Sequence, residues 1–202
     1  MMIRIALPLL MALAAPLAAQ SASPTIAEPA KDDLVKVALD TSAGRIVLAL
    51  DRGRAPLTTA NFLAYVDGGK FDGESFYRAM RYGDGGIVQG GIRSDARKLA
   101  APIGHESTAT TGLKHLRGTI SMASLGPGTA KSDFFILTTD IPGFDATAAE
   151  PGFAAFGRVV EGMEIVEKIL AAPVSPTKGE GSMKGQMLEP VITISKATRL
   201  KP

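Results

Sequence analysis

The chain has 202 residues, of which 22 are Lys or Arg and 20 are Asp or Glu, for a formal net charge of +2. That length suits one domain with a substantial core, and a near-neutral balance without any clustered basic run argues against a nucleic-acid partner. Cysteine is absent, which excludes disulfides, zinc–thiolate sites, thiol catalysis and a lipid carried on a cleavage-site cysteine.

Arg4 is the only basic residue before Lys31, and between them Ile5 to Ala19 is an apolar run that ends in small residues. This is the layout of a secretory signal peptide; Pro8 and Pro16 interrupt the run, which is short for a membrane span. An uncleaved anchor is the alternative. The expected organisation is a signal peptide at residues 1–22, cleaved between Ala19 and Ala22, a Ser/Ala/Pro-rich linker at 23–33, and one domain at 34–202. The expected product is periplasmic or secreted, with no stable membrane insertion.

The domain opens with two alternating runs, Leu34 to Thr41 and Gly44 to Leu50, around Ser42-Ala43, which predicts a β-hairpin. Pro56 to Val66 reads as a helix: Pro56 suits a first helical position, Phe62, Leu63 and Val66 share a face, and Gly68-Gly69 ends it. Strand patterns follow at Ser75–Met80, Ile87–Gln89, Thr119–Ala123, Phe134–Thr139 and Phe153–Val160. A second helix is expected over Glu161–Ala171, stopped by Pro173. A Gly-rich loop from Lys178 to Gly185 leads to a last strand, Pro190–Arg199. Many short strands with two helices predict an all-β barrel or sandwich. Gly126 and Gly128 around Pro127 read as a turn, since nothing beside them has the spacing of a phosphate loop. His105 and His115, ten positions apart, read as ordinary surface or loop residues and not as a metal site.

One side chain stands out. Arg78 sits in an otherwise apolar strand pattern, and an unpaired buried charge is very costly; it needs a partner or a task.

The order of hairpin, Pro-initiated helix with Asn61-Phe62, Phe76-Tyr77-Arg78, Gln89-Gly90-Gly91, Gly118-Thr119-Ile120-Ser121-Met122-Ala123, Phe134-Phe135-Ile136 and Phe156-Gly157 through Gly162-Met163 resembles the cyclophilin-type peptidyl-prolyl isomerases, most closely exported bacterial members. The resemblance covers Leu34 to the C-terminus. It implies an eight-stranded closed antiparallel barrel capped by two α-helices, with a substrate groove on its outer wall, no cofactor or metal, and proline-containing segments of exported proteins as partners of a monomer. The activity implied is rotation about Xaa-Pro bonds. The runner-up is a weakly active barrel that binds proline segments as a chaperone or scaffold. A barrel holding an apolar small molecule is disfavoured, because family barrels of this size are filled.

The resemblance makes Arg78 the catalytic residue. It gives substrate-binding positions at Phe76, Ile87, Gln89, Ala123, Ser124, Asp133, Phe135, Phe144 and Phe153. Gln89 would hold the arginine and contact the peptide, Ile87 and Phe135 would receive the proline ring, and the backbone of Ala123 and Ser124 would pair with substrate as an added strand. Read without the resemblance, Ile87 and Phe135 fit barrel core better.

Three departures from the family pattern matter. The segment between Arg78 and Gln89 is lengthened, and Gly86 stands where a pocket aromatic is expected; Tyr82 either swings in to replace it or stays exposed, and Arg81 becomes a rival arginine. Asp133 replaces the usual glutamine, and it either orients Arg78, draws off its charge, alters preference beside the proline, or is simply solvated. No tryptophan is present, its usual place falling near Gly143, so strong cyclosporin binding is not expected. Phe153 replaces a pocket histidine, which predicts an activity that varies little between pH 6 and 8.

Overall fold

The computed structural model describes residues 33–201. The expected signal peptide (1–22) and all of the expected linker except Asp33 lie outside the described residues.

Nine strands run β1 Leu34–Thr41, β2 Gly44–Asp51, β3 Ser75–Tyr82, β4 Gly85–Gly91, β5 Thr119–Met122, β6 Phe134–Leu137, β7 Ala154–Glu161, β8 Val174–Ser175 and β9 Met187–Arg199. Their order is β1-β2-β7-β5-β6-β4-β3-β9, and β9 pairs back onto β1, Val37 opposite Arg199. Eight antiparallel strands thus close into a barrel, which removes the free edges that an open sheet would carry. The ninth, β8, is two residues long and pairs outside this ring with β9. Closure was the expectation; the extra strand was not.

Helix α1, Pro56–Asp67, packs against β2, β7 and β9, and α3, Met163–Ala171, packs against β2, β3 and β4. Between them in sequence lies α2, a single turn at Thr108–Thr111 that has no apolar period and was not foreseen. Pro56 occupies the start of α1 as expected, but no side chain of its own caps it. Glu106, from a distant loop, does so: its carboxylate accepts from the N–H groups of Leu57 (3.0 Å) and Thr58 (2.7 Å), placing negative charge at the positive end of the helix dipole.

Alternation sorts side chains between two apolar clusters. On β6, Phe134 and Ile136 enter the barrel core while Phe135 and Leu137 face its outer wall; on β4, Val88 points in and Ile87 out. The interior is filled by aromatic packing: Phe62 lies 5.0 Å from Phe71, 5.3 Å from Phe134 and 5.4 Å from Phe156, centroid to centroid. The smaller outer cluster of Ile87, Phe135, Leu137 and Ile141, flanked by Met80, Ala123, Phe144 and Phe153, is separate from the core.

Candidate active site

On β3 the alternation breaks. Phe76 pairs with Gly90 and Arg78 with Gln89, so Tyr77 is the extra residue of a β-bulge. Phe76 and Ala79 face the core, whereas both Tyr77 and Arg78 line the outer groove. Without the bulge, Arg78 would share a face with Phe76 and enter the barrel. Bulges re-aim side chains in this way. The same shift corrects one expectation: Phe76, placed above among the substrate-binding residues, is fully buried, packs edge-on to Phe134 at 5.6 Å, and does not reach the groove. Tyr77 lines it instead.

The groove has a volume of about 570 Å³. Its floor is the outer apolar cluster, where Phe135, Phe144 and Phe153 meet edge to face at 5.0–5.6 Å. Ile87, Gln89, Ala123, Ser124, Asp133, Phe135, Phe144 and Phe153 all line it, together with Arg78. Ile87 and Phe135 are therefore wall and floor of a groove, not barrel core. Ala123 follows the end of β5, and its N–H is already bonded to the Asp133 carbonyl (2.9 Å); from Ala123 only the carbonyl is left for a peptide.

Arg78 is half-buried and held by neutral groups. Its Nη1 donates to Gln89 Oε1 at 2.8 Å, and its Nε and Nη2 both donate to Gln186 Oε1, at 2.9 and 2.7 Å. Nη2 also approaches Met80 Sδ at 3.4 Å. Among the described residues no carboxylate bonds to Arg78. Of its five N–H donors, one on Nη1 has no acceptor among these contacts. Burial lowers the Arg78 pKa, but the ordinary arginine value lies so far above neutrality that the cation persists.

Asp133 does not touch Arg78. Its Oδ2 accepts from Tyr77 Oη (3.1 Å), and Tyr77 Oη accepts from Gln89 Nε2 (2.7 Å). Arg93 lies over the Tyr77 ring, 4.6 Å from its centroid, within the range of a cation–π contact. Burial pushes the Asp133 carboxyl up, opposed by the Tyr77 hydrogen bond and the Arg93 charge; burial and the Asp133 charge push the Tyr77 phenol up, so it stays protonated. Of the alternatives raised for Asp133, neither direct contact with Arg78 nor simple solvation describes it: its carboxylate is bonded to Tyr77.

The lengthened segment forms a regular extension of the β3–β4 hairpin, with Tyr82 opposite Gly85 and Gly83-Asp84 at its tip. Tyr82 is 55% exposed and stays out of the groove; Arg81 is exposed and does not line it either. Gly86 is dictated by space, since a Cβ there would stand 1.9 Å from the Met80 carbonyl oxygen. An aromatic residue cannot occupy that position. Met80 fills the wall beside Arg78.

His115 departs from its expected surface role. It is 1% exposed, stacked behind Phe135 with ring centroids 6.1 Å apart. Nδ1 lies 2.8 Å from Asp145 Oδ1 and Nε2 lies 2.9 Å from Ser121 Oγ. Nδ1–H donates to the carboxylate, which leaves Nε2 to accept from the serine hydroxyl. The order Asp–His–Ser matches a hydrolase relay, but Ser121 is fully buried and no substrate reaches it. The chain braces the floor of the groove.

Residues that the sequence reading missed are Tyr77, Met80, Arg93 and Gln186. Tyr77 and Met80 adjoined the motif and were readable only with the bulge in hand. Gln186 had no local signal at all.

Comparison with known proteins accords with this geometry. Residues 35–198 match the family described as "Cyclophilin type peptidyl-prolyl cis-trans isomerase/CLD". A peptidyl-prolyl cis-trans isomerase A from Dickeya dadantii is 43% identical over 135 residues, covering 66% of this chain and 70% of that protein. A peptidyl-prolyl cis-trans isomerase from Streptomyces antibioticus is 40% identical over 149 residues, covering 71% and 87%. The crystal structure of a cyclophilin-type isomerase from Cryptosporidium parvum aligns with a TM-score of 0.69 at 23% identity, over 84% of this chain and 99% of that one, a likeness of fold. The chain belongs to the cyclophilin-type peptidyl-prolyl cis-trans isomerases.

Proposed function

We propose that this isomerase acts on Xaa-Pro bonds of exported proteins, outside the cytoplasm, with Arg78 as the catalytic residue. Rotation about a peptide bond faces a barrier of about 18–20 kcal/mol because resonance is lost at the twist. For Xaa-Pro the two planar forms differ by only about 0.5–1 kcal/mol, yet they exchange over tens to hundreds of seconds. The task is kinetic, and no bond need break. A catalyst must bind the twisted amide better than either planar form.

In the twisted state the prolyl nitrogen regains a lone pair and accepts a hydrogen bond. A fixed guanidinium donor aimed at that lone pair is favourable in this state only. Stabilisation of about 6 kcal/mol would accelerate exchange on the order of 10⁴-fold. The carrying observation is that two amide oxygens and, among the described residues, no carboxylate hold Arg78 beside an apolar floor. Its charge is thus left un-neutralised while its orientation is fixed. The proline ring would lie on Phe135 against Ile87, and Ala123 and Ser124 would offer backbone to the peptide. A Cryptosporidium parvum protein of this fold was solved in the presence of the dipeptide Ala-Pro, which is in keeping with this reading. The apolar N-terminal run after Arg4 is what supports export.

The test is an NMR exchange measurement on a short Xaa-Pro peptide, wild type against Arg78→Ala. A loss of two or more orders of magnitude in kcat/KM with peptide affinity largely kept is expected. If Arg78→Ala isomerises as fast as wild type, the arginine mechanism is wrong. A wild type that binds the peptide yet barely exceeds the spontaneous rate would make the chain a proline-segment binder instead.

A further inference from the structure

We infer that Tyr77 and Asp133 are positioning residues of this site, forming with Gln89 a one-way hydrogen-bond relay that dictates which face of the Gln89 amide Arg78 meets. The inference rests on the reading of Arg78 as the catalytic group.

The direction of the relay follows from counting protons. An ionised carboxylate can only accept, so the single hydroxyl proton of Tyr77 is donated in a hydrogen bond to Asp133. The phenol oxygen is then left as an acceptor, and only the NH₂ end of the Gln89 amide can satisfy it. That choice turns Gln89 Oε1 toward Arg78 Nη1. Without Asp133 the phenol is free to donate, the amide can rotate by half a turn, and its NH₂ would then oppose the guanidinium, donor against donor. Gln186 is already polarised by a similar rule, since its Nε2 donates to the Ser182 carbonyl at 2.8 Å and its Oε1 faces Arg78.

Three features show the relay built into the strand geometry. The bulge brings Tyr77 to the same side as Arg78. Tyr77 and Gln89 are both buried, where an unmet hydrogen-bonding group is costly and a satisfied chain is strengthened. Gly91 makes room for the carboxylate, because a Cβ there would stand 2.0 Å from Asp133 Oδ1. Arg93, over the open side of the Tyr77 ring, adds positive charge beside Asp133.

The test compares Tyr77→Phe, Asp133→Ala and Asp133→Asn by NMR exchange kinetics and by peptide affinity. Tyr77→Phe and Asp133→Ala should each lower kcat about tenfold with KM and affinity nearly unchanged. Their double variant should be no slower than either alone. Asp133→Asn keeps an oxygen that can accept from Tyr77 and should recover most of the loss. In an Arg78→Ala background, Tyr77→Phe should have no further effect. A folded Tyr77→Phe with wild-type kcat, equal losses in Asp133→Ala and Asp133→Asn, or a further drop in the Arg78→Ala background would each overturn the relay. If Asp133→Ala does not fold, the nearly isosteric Tyr77→Phe decides alone. Full activity in Arg78→Ala would instead sink the catalytic reading itself, so the two failures are distinguishable.

Discussion

The guanidinium of Arg78 is forked onto one oxygen of Gln186, a residue 108 positions further along the chain. Together with the bond to Gln89, this contact holds the arginine in the groove. We predict that Gln186→Leu, similar in size but without the acceptor, lowers kcat/KM about tenfold with little change in the unfolding midpoint. An unchanged kcat/KM would show that Gln89 alone suffices to orient Arg78.

Removing the floor should act differently from removing the arginine. Phe135 is buried against Phe144, Phe153 and His115. For Phe135→Ala we expect a stability loss of about 3 kcal/mol together with weaker peptide binding. Urea unfolding and a peptide titration check both, and retention of wild-type affinity would remove Phe135 from the proline site.

His115 gives two pH predictions. Burial lowers its pKa, outweighing the opposing pull of Asp145, which favours the neutral ring in the folded protein, and activity is expected to vary little between pH 6 and 8. Stability behaves otherwise. In the unfolded chain the ring protonates around its ordinary value of about 6.5, while the folded state resists. The unfolded state then binds more protons, and stability falls as pH drops below about 6.5 until the lowered folded value is passed. Denaturant midpoints at pH 7.5 and 5.5 should differ more in wild type than in His115→Gln, and equal differences would rule His115 out as the source.

Glu74 is a buried anchor for the loop that carries Arg93. It accepts from the Arg93 and Ser94 N–H groups (3.0 and 3.2 Å), from the Ser94 hydroxyl, and from Lys98 Nζ at 2.7 Å. Burial raises its pKa, but these hydrogen bonds together hold it below the usual carboxylate range. Glu74→Ala should cost about 1–3 kcal/mol and speed hydrogen exchange at residues 93–98. A loss confined to global stability, with that loop still protected, would argue against the anchoring role.

The strands of this protein were legible because β-alternation is local: Phe134 to Leu137 reads as a strand from its own residues, although which face is core does not, since Phe135 fits the core better until the resemblance places it in the groove. Closure of the barrel follows from family resemblance more than from any pattern. Arg78 was visible as a charge in an apolar run. Its surroundings were not. The bulge at Tyr77 depends on pairing with Gly90 and Gln89, and Phe76, which the resemblance places in the groove, lies in the core on the other side of that bulge. His115 lies between Lys114 and exposed Leu116, so nothing nearby marks it as buried. Asp133 could be noticed as unusual, but its partner Tyr77 is 56 positions away. Contacts of such range leave no trace in periodicity.

Closure through β9 also has a temporal consequence. That strand supplies the last seam of the barrel, against β1 and β3, and Gln186 immediately precedes it. During synthesis both emerge after the other strands of the barrel. A chain that has not yet received its final segment lacks the amide that steadies Arg78 and the pairing that shuts the wall. The groove wall and the hold on Arg78 are thus completed together, by the same last strand of the barrel and the residue before it.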